Sequence, residues 1–149
     1  MIINQPILYA DDDEDDAFLF ERAFKQVAIS NPLTVVPDGQ ALIDYLVGNF
    51  SHRDKFPVPC LILLDVNMPG KNGIEVLKWI RSQSTVSTVP VLMLTSSNLE
   101  ADVHRAYLNG ANGYLVKPNN QEKILVMAKA IKDFWLTVNQ SPREAGATM

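Results

Sequence analysis

The stretch ILYADDDEDDAF, residues 7–18, joins a short apolar run to six consecutive acidic residues. The run Ile7–Ala10 is apolar at every position, which is typical of a strand buried on both faces of a parallel sheet. Within the acidic run, each pair of like charges about 5 Å apart costs roughly 3 kcal/mol at an effective dielectric constant of about 20. The run therefore needs a positive counterpart, and a helix N-terminus and a bound cation can each supply one.

Apolar runs of strand length alternate with segments of helical periodicity along the whole chain. The predicted strands are Ile7–Ala10, Leu33–Val36, Cys60–Leu64, Val91–Leu94 and Tyr114–Val116. Apolar stripes with helical spacing include positions 17, 20, 24 and 27, positions 74, 77 and 80, and positions 124, 127, 131 and 135. This alternation predicts an α/β fold, a doubly wound five-stranded parallel sheet with helices on both faces.

Polar and glycine residues mark the expected ends of the second and fourth helices. A helix is predicted over about 39–47, followed by an irregular loop over 48–59 that contains two prolines. Asn98 suits an N-cap, because its short polar side chain can accept hydrogen bonds from the first helical turn. Gly110 suits the left-handed position that ends the same helix.

Composition indicates one domain without a charge pattern for nucleic acid or membranes. The 149 residues are 47% hydrophobic and 20% charged, with a net charge of −4 and scattered Lys and Arg. Cys60, the single cysteine, is expected to be a small buried hydrophobe in a reducing compartment. No signal peptide or membrane-length apolar window is evident, so we expect a cytoplasmic protein. We assign residues 1–138 to the domain and residues 139–149 to a flexible C-terminal tail.

Chemically reactive residues follow four of the predicted strands. They are Asp11, Asp12, Asp65, Thr95 and Lys117. In a doubly wound parallel sheet the ligand site lies beyond the carboxyl ends of the strands, where the strand order reverses. We therefore expect these five side chains to converge at one edge of the sheet.

The acidic members of this set predict a divalent cation site. Asp13 suits an N-cap and Glu14–Asp16 the first helical turn, where the helix dipole stabilises each anion by a few tenths to about 1 kcal/mol. Asp11 and Asp12 are not explained in this way, and they lie beside Asp65. Because the oxygen ligands have no neighbouring cysteine or histidine, they favour Mg²⁺, which retains water and binds phosphate oxygens.

Phosphate chemistry gives the other two residues a role. Asp65 is a possible nucleophile, because a carboxylate beside an activating cation can form an aspartyl-phosphate. The Thr95 hydroxyl and the Lys117 ammonium can then stabilise the phosphoryl oxygens. Taken singly, Asp65 could be a turn residue and Lys117 a solvated charge, but their joint placement favours a site.

The motifs ILYADD, LILLDVNMPGKNG, VLMLTSS and GYLVKP resemble those of the receiver domain of two-component response regulators, over roughly residues 5–135. The resemblance implies a CheY-like, flavodoxin-like fold with strand order 2-1-3-4-5. It implies that Asp65 is the phosphoacceptor for a sensor histidine kinase in a phosphorelay. It further implies that Asp12, Asp65 and the backbone carbonyl of Asn67 bind Mg²⁺, and that Asp11 reaches the metal through water.

The same resemblance implies a conformational switch. Thr95 would move toward the phosphate, Lys117 would pair with it, and Tyr114 would rotate inward, although a half-buried tyrosine at that position needs no switch. The bond after Lys117 resembles the cis prolyl bond of the family, and the side chains of Asn67 and Ser97 would tune dephosphorylation. A downstream protein would read the face formed by the fourth helix, the fifth strand and the fifth helix.

A narrower resemblance is to stand-alone receivers that serve bacterial and cyanobacterial phytochrome kinases. It rests on the longer proline-containing loop before Cys60 and on the C-terminal run Phe134–Leu136. In that subgroup the C-terminal extension helps to form a homodimer. The resemblance thus implies a phytochrome-type kinase and a homodimer as partners.

Three functions are weighed on these residues. We expect a single-domain response regulator that phosphorylates and dephosphorylates itself with Mg²⁺ and has no separate substrate. A haloacid-dehalogenase-like phosphatase also forms an aspartyl-phosphate, but it needs an Asp two residues after the nucleophile, where this chain has Asn67. An adaptor that works without phosphorylation would not require the complete set of acids, threonine and lysine.

Overall fold

The computed structural model describes residues 5–142, and a five-stranded parallel sheet runs through their centre. The strands are β1 Ile7–Ala10, β2 Leu33–Val36, β3 Leu61–Leu64, β4 Val91–Thr95 and β5 Gly113–Val116. The helices are α1 Glu14–Gln26, α2 Gly39–Ser51, α3 Gly73–Ser82, α4 Glu100–Leu108 and α5 Gln121–Ala130. A π-helical segment, Ile131–Val138, continues α5. Each predicted strand is confirmed, with its ends within one residue.

The strand order is β2-β1-β3-β4-β5, with every neighbouring pair parallel. This confirms the predicted α/β doubly wound sheet with order 2-1-3-4-5. In the register, Ala10 at the end of β1 lies opposite both Val36 and Leu64. On the other side of the sheet, Thr95 lies opposite Val116. The carboxyl ends of the strands therefore meet at one edge.

Two apolar layers cover the sheet, one on each face. Strand side chains alternate between the faces, so that Leu8 joins the cluster under α2 and α3, and Ile7 joins the cluster under α1 and α5. All residues of β1, β3 and β4 are buried, whereas the edge strands β2 and β5 are partly exposed. Full burial of the central strands explains why their sequences are apolar without alternation.

Two helix ends differ from the sequence prediction. Helix α2 continues to Ser51 instead of ending near Val47, because Gly48 lies inside it and leaves room for a ring. A Cβ at Gly48 would lie 2.7 Å from the Phe56 ring, so this glycine serves packing. Asn98 is not the N-cap of α4. That position is Leu99, which makes no side-chain cap hydrogen bond.

The partly buried guanidinium of Arg81 connects the end of α3 to the loops that precede β4 and β5. It donates to the carbonyls of Ser87 at 3.0 Å, Val89 at 2.7 Å and Gly110 at 2.7 Å, and to Asn112 Oδ1 at 2.8 Å. Gly110 ends α4 with φ +99°, as its left-handed position predicts. A Cβ there would lie 2.9 Å from Arg81 Nε, so the glycine also admits the guanidinium.

The C-terminal segment packs against the start of the chain. Ile131 is buried in the layer under α1 and α5, and Trp135 packs against the same layer. Lys132 Nζ donates to the carbonyl of Val27 at 2.8 Å, beyond the last turn of α1. Residues 143–149, most of the predicted tail, lie outside the described residues.

Two further observations concern the described residues as a whole. The bond between Lys117 and Pro118 is trans, since residues 5–142 contain no cis peptide bond. The prediction of a cis bond is therefore wrong, and the chain has the isomer that prolyl bonds favour by about 0.5–1 kcal/mol.

None of the helices within residues 5–142 is long and apolar enough to cross a membrane.

Candidate functional site

The ammonium of Lys117 lies at the centre of a group of side chains at the carboxyl edge of the sheet. Lys117 follows β5, and its Nζ is 2.7 Å from Asp11 Oδ2, after β1, and 2.9 Å from Asp65 Oδ2, after β3. Thr95 ends β4 and is fully buried, and its hydroxyl acts to lower the pKa of the Asp65 carboxyl. Since β1, β3, β4 and β5 each deliver one of these residues, the fold brings the predicted set together.

A third carboxylate reaches the same ammonium. Asp16 Oδ2, on the first turn of α1, is 2.9 Å from Lys117 Nζ. The sequence pattern assigns Asp16 only to the helix dipole and does not predict this contact. The spacing in the sequence does indicate on which side of α1 such a contact lies. Asp16 lies one helical turn before the buried Phe20, so it belongs to the side of α1 that faces the sheet.

The first turn of α1 is ordered by its predicted cap. Asp13 Oδ1 accepts hydrogen bonds from the backbone N–H groups of Asp15 at 3.0 Å and Asp16 at 3.1 Å. Asp13 itself donates its backbone N–H to Asp11 Oδ1 at 2.9 Å. The cap therefore links the strand end to the helix and fixes the direction in which Asp16 projects.

Asp11 has a second partner that the sequence analysis did not predict. The hydroxyl of Tyr9, which is buried in β1, donates to Asp11 Oδ2 at 2.5 Å. Burial and the neighbouring Asp11 carboxylate raise the pKa of Tyr9, so the phenol stays protonated as a donor. The available signal was general: a buried tyrosine hydroxyl needs a hydrogen-bond partner.

Asp65 is held in a desolvated position. It is 5% exposed, and its Oδ1 accepts the backbone N–H of Asn67 at 3.1 Å. Burial raises the pKa of the Asp65 carboxyl, while hydrogen bonds from Thr95 and Lys117 oppose the rise without cancelling it. The carboxylate is thus less well solvated than in water, as a nucleophile in an enclosed site would be.

Lys117 remains a cation despite its burial. Desolvation lowers the pKa of the Lys117 ammonium, but hydrogen bonds to Asp11, Asp65 and Asp16 outweigh it, and the net pKa is raised. Three carboxylates nevertheless share one ammonium, and Asp12, which lies close to Asp11 and Asp65, adds a fourth negative charge. The resulting excess of negative charge favours a bound cation.

Three of these carboxylates form a cluster of suitable dimensions for a metal ion. One oxygen from each of Asp11, Asp12 and Asp65 lies within 4.8 Å of the other two, with Asp12 exposed and the others buried. An all-oxygen donor set with an open side suits a hard divalent cation. Asp12 also borders a surface cavity of about 300 Å³ that the exposed ring of Phe18 and Pro37 line as well.

The approach of α3 to Asp65 depends on a glycine. Gly73, the first residue of α3, donates its N–H to the carbonyl of Val66 at 2.8 Å. A Cβ at position 73 would lie 2.1 Å from the backbone oxygen of Asp65. The sequence does not reveal this requirement, because periodicity carries no information on how closely two backbones approach.

A hydrogen-bonded chain leads from the site to α4. Tyr114 Oη donates to the carbonyl of Ser97 at 2.9 Å, and Ser97 Oγ donates to Asp102 Oδ2 at 2.5 Å. Asp102 in turn pairs with Arg105 at 2.9 Å. Ser97 donates its N–H to Thr95 Oγ1 at 3.3 Å. The two residues predicted to form a switch, Thr95 and Tyr114, therefore both contact Ser97.

Comparison with known proteins gives the site a family context. Residues 7–129 match the family described as the response regulator receiver domain. The chain is 34% identical over 139 residues to the probable methanogenesis regulatory protein FilR2 of Methanothrix harundinacea, across 93% of this chain and 88% of that protein. It is 35% identical over 130 residues to response regulator Rcp1 of Synechocystis sp., across 87% of this chain and 88% of Rcp1.

Solved structures of such regulators have the same fold. The Mn²⁺-bound form of Rcp1 superposes with a TM-score of 0.83 at 34% identity, over 93% of this chain and 99% of that chain. The phosphorylated cyanobacterial phytochrome response regulator RcpA superposes with a TM-score of 0.86 at 31% identity, over 94% and 99%. The two neighbours were therefore captured with a divalent metal and in a phosphorylated state, respectively.

Proposed function

Because the chain belongs to the family of response regulator receiver domains, we propose that it accepts a phosphoryl group on Asp65 from a sensor histidine kinase. The observation that carries this proposal is the buried Asp65 carboxylate, which has Lys117 Nζ at 2.9 Å and the buried Thr95 at the end of the neighbouring strand. Receiver domains are phosphoacceptors and not enzymes that turn over a separate substrate. The domain is assigned to residues 1–138.

In the proposed reaction an Asp65 carboxylate oxygen attacks the phosphorus of a phosphohistidine. The new O–P bond forms as the P–N bond breaks, and the imidazole nitrogen keeps the electron pair and then takes a proton. Lys117 and Thr95 donate to oxygens of the transferred group, which is the stabilisation that phosphoryl transfer requires. Partial desolvation of Asp65 leaves less water to remove before the attack.

The metal in this proposal is Mg²⁺. Asp12, Asp65 and the backbone carbonyl of Asn67 would hold it, with Asp11 in contact through water. The all-oxygen donor set and the Mn²⁺-bound form of Rcp1 support a divalent cation. When bound, the ion supplies positive charge against the carboxylates and the phosphoryl oxygens. Self-phosphorylation from small donors and self-dephosphorylation, tuned at Asn67 and Ser97, complete the proposed chemistry.

Phosphorylation is proposed to act through Thr95 and Tyr114. A phosphoryl group adds about two negative charges and three acceptor oxygens, which compete for the Thr95 hydroxyl. Because Thr95 and Tyr114 both contact Ser97, a shift of Thr95 reaches α4 through the Ser97 to Asp102 hydrogen bond. The α4-β5-α5 face would present this change to a downstream protein. Exposed apolar residues on or next to these three elements are Leu99, Tyr107, Leu108, Val116 and Val126.

A phytochrome-type kinase and a homodimer are the finer partners in this proposal. The names of the neighbours support the first, since RcpA is a phytochrome response regulator. Exposed Phe134 and Val138 on the π-helical segment, 50% and 73% accessible, support the homodimer.

We also propose a cytoplasmic location, which the free and buried thiol of Cys60 supports. Contact with nucleic acid or membranes forms no part of the proposal.

Incubation with acetyl phosphate and Mg²⁺, followed by intact mass measurement, tests the proposal. Wild-type protein should gain the mass of one phosphoryl group, and Asp65→Asn should gain none. Absence of added phosphate on wild type, or equal labelling of the variant, would refute the assignment. Sustained hydrolysis of a generic phosphomonoester would instead support the phosphatase alternative, which Asn67 disfavours.

A further inference from the structure

The contact between Asp16 and Lys117 has no role in the chemistry proposed above. Lys117 has three N–H donors and three carboxylate partners, Asp11 at 2.7 Å, Asp16 at 2.9 Å and Asp65 at 2.9 Å. In the proposed function Asp65 becomes an acyl phosphate and Asp11 contacts the metal through water. Asp16 is then the partner of Lys117 that keeps a free carboxylate.

We propose that Asp16 is a positioning residue for phosphoryl transfer, which keeps the Lys117 ammonium beside Asp65 while the other two carboxylates change partners. This inference rests on the proposed function and adds a residue to it. During the transfer, the bond from Lys117 to Asp65 is replaced by a bond to a phosphoryl oxygen. The bond to Asp16 remains unchanged throughout.

The local structure suits Asp16 to this task. Its backbone N–H is fixed by the Asp13 cap at 3.1 Å, and its side chain is 33% exposed at the rim of the site. The side chain of Lys117 is 6% exposed, below that rim. Because Asp16 projects from a helix and Lys117 from the chain after β5, the pair connects two elements across 101 positions of sequence.

Lys117 has space to leave the site. A cavity of about 190 Å³ lies beside the ion pair, lined by Asp16, Phe20, Lys117 and Pro118 among others. That volume accommodates a displaced ammonium and its water. A long flexible side chain next to such a space needs a fixed partner if its charge is to stay at one position. The geometry therefore assigns Asp16 a directional role in addition to its charge.

A purely electrostatic role would act in the opposite direction. An extra carboxylate near Asp65 repels an incoming phosphoryl group, so removing its charge would accelerate labelling. Loss of position would slow it. The sign of the effect therefore separates the two roles.

The test compares Asp16→Asn with Asp15→Asn, a matched control. Both substitutions remove one charge from the first turn of α1, but Asp15 is exposed and projects to solvent. Labelling of Asp65 by acetyl phosphate is followed by intact mass over a range of donor concentrations, with Mg²⁺ titrated to saturation for each protein. For Asp16→Asn we expect the maximal rate to fall about tenfold, with the half-saturating donor concentration unchanged. Asp15→Asn should match wild type.

Thermal unfolding of both variants is measured to check that each is folded at the assay temperature. A maximal rate of Asp16→Asn at or above that of wild type, or an equal loss in Asp15→Asn, would overturn the positioning role alone. A change confined to the Mg²⁺ concentration at half-saturation would also overturn it, since Asp16 would then act on the metal. Wild type that takes no phosphate would refute the proposed function together with this inference.

Discussion

The substitution Gly73→Ala tests how closely α3 must approach the backbone of Asp65, which follows β3. Its Cβ would lie 2.1 Å from the backbone oxygen of Asp65, whereas real Cβ atoms essentially never come within 3.0 Å of another heavy atom. The two backbones must therefore part by about 0.9 Å. Neither atom belongs to a flexible side chain, so the shift has to move α3 or the residue that carries the reactive carboxylate.

Two effects of Gly73→Ala follow from this displacement. Overpacking of this kind destabilises a folded protein by about 1–3 kcal/mol, and urea unfolding monitored by circular dichroism measures the loss. A misplacement of about 1 Å at a reacting group slows a reaction by about a hundredfold, so labelling of Asp65 by acetyl phosphate should slow by at least about tenfold.

Gly113→Ala is the matched control. A Cβ at Gly113 would lie 2.9 Å from Leu92 Cδ2, the far end of a flexible side chain that can move. We expect this variant to lose less than about 1 kcal/mol and to be labelled at the wild-type rate. If Gly73→Ala were as stable and as reactive as Gly113→Ala, the reasoning from backbone approach would be wrong.

Three further predictions concern other parts of the molecule. Arg81→Met keeps the aliphatic stem but removes the hydrogen bonds to Ser87, Val89, Gly110 and Asn112, of which the first two are partly buried. This variant should lose about 3 kcal/mol of the free energy of unfolding measured in urea. Arg105→Met, whose side chain is 56% exposed, should lose less than about 1 kcal/mol, and equal losses in the two variants would contradict the prediction. In metal-free protein at neutral pH, Asp65→Asn should raise the free energy of unfolding by about 0.5–2 kcal/mol. The reason is that burial raises the pKa of Asp65, so the ionised form is disfavoured in the folded state; lower stability of the variant in chelator would refute it. Burial raises the pKa of the Cys60 thiol to about 11, so a disulfide reagent should modify the folded protein slowly at pH 8, and rapidly in urea. The folded pKa lies above the unfolded value of about 8.5, so the contribution of Cys60 to the free energy of unfolding is complete below about pH 8.5 and is lost as the pH rises through 11. The free energy of unfolding of a Cys60→Ala variant should therefore decrease less over this pH range than that of wild type.

The central strands and the reactive edge were accessible from sequence because their signals are local. Continuous apolar runs predicted β1, β3 and β4, and full burial of those strands explains the pattern. Asp65, Thr95 and Lys117 could be expected at one edge because parallel strands end together. The strand order came from the resemblance to receiver domains and not from periodicity.

The two wrongly predicted helix boundaries lie where tertiary contacts determine the start or end of a helix. Asn98 has an N-cap side chain, yet α4 begins after Leu99, and Ser97 and Asp102 hydrogen-bond across the start of that helix. Gly48 resembles a helix end in sequence, but Phe56 packs over it and α2 continues. Local propensity is a weak prior, which packing of this kind overrides.

Three contacts at the site that the sequence did not predict have a different cause. The helix dipole is enough to explain an acidic residue at position 16, so the sequence gives no reason to expect the pair with Lys117. The hydrogen bond from Tyr9 to Asp11 and the approach of Gly73 to Asp65 depend on distances between elements. Such distances become available only when the elements are packed, whereas residue type and spacing are available beforehand.

The span of the Asp16 to Lys117 contact also bears on synthesis of the protein. The acidic residues are translated first, and the ammonium that answers them follows 101 positions later than Asp16. A nascent chain still lacking β5 has carboxylates without their lysine. Under the proposed function, competence to accept a phosphoryl group would therefore arise only once translation has passed residue 117.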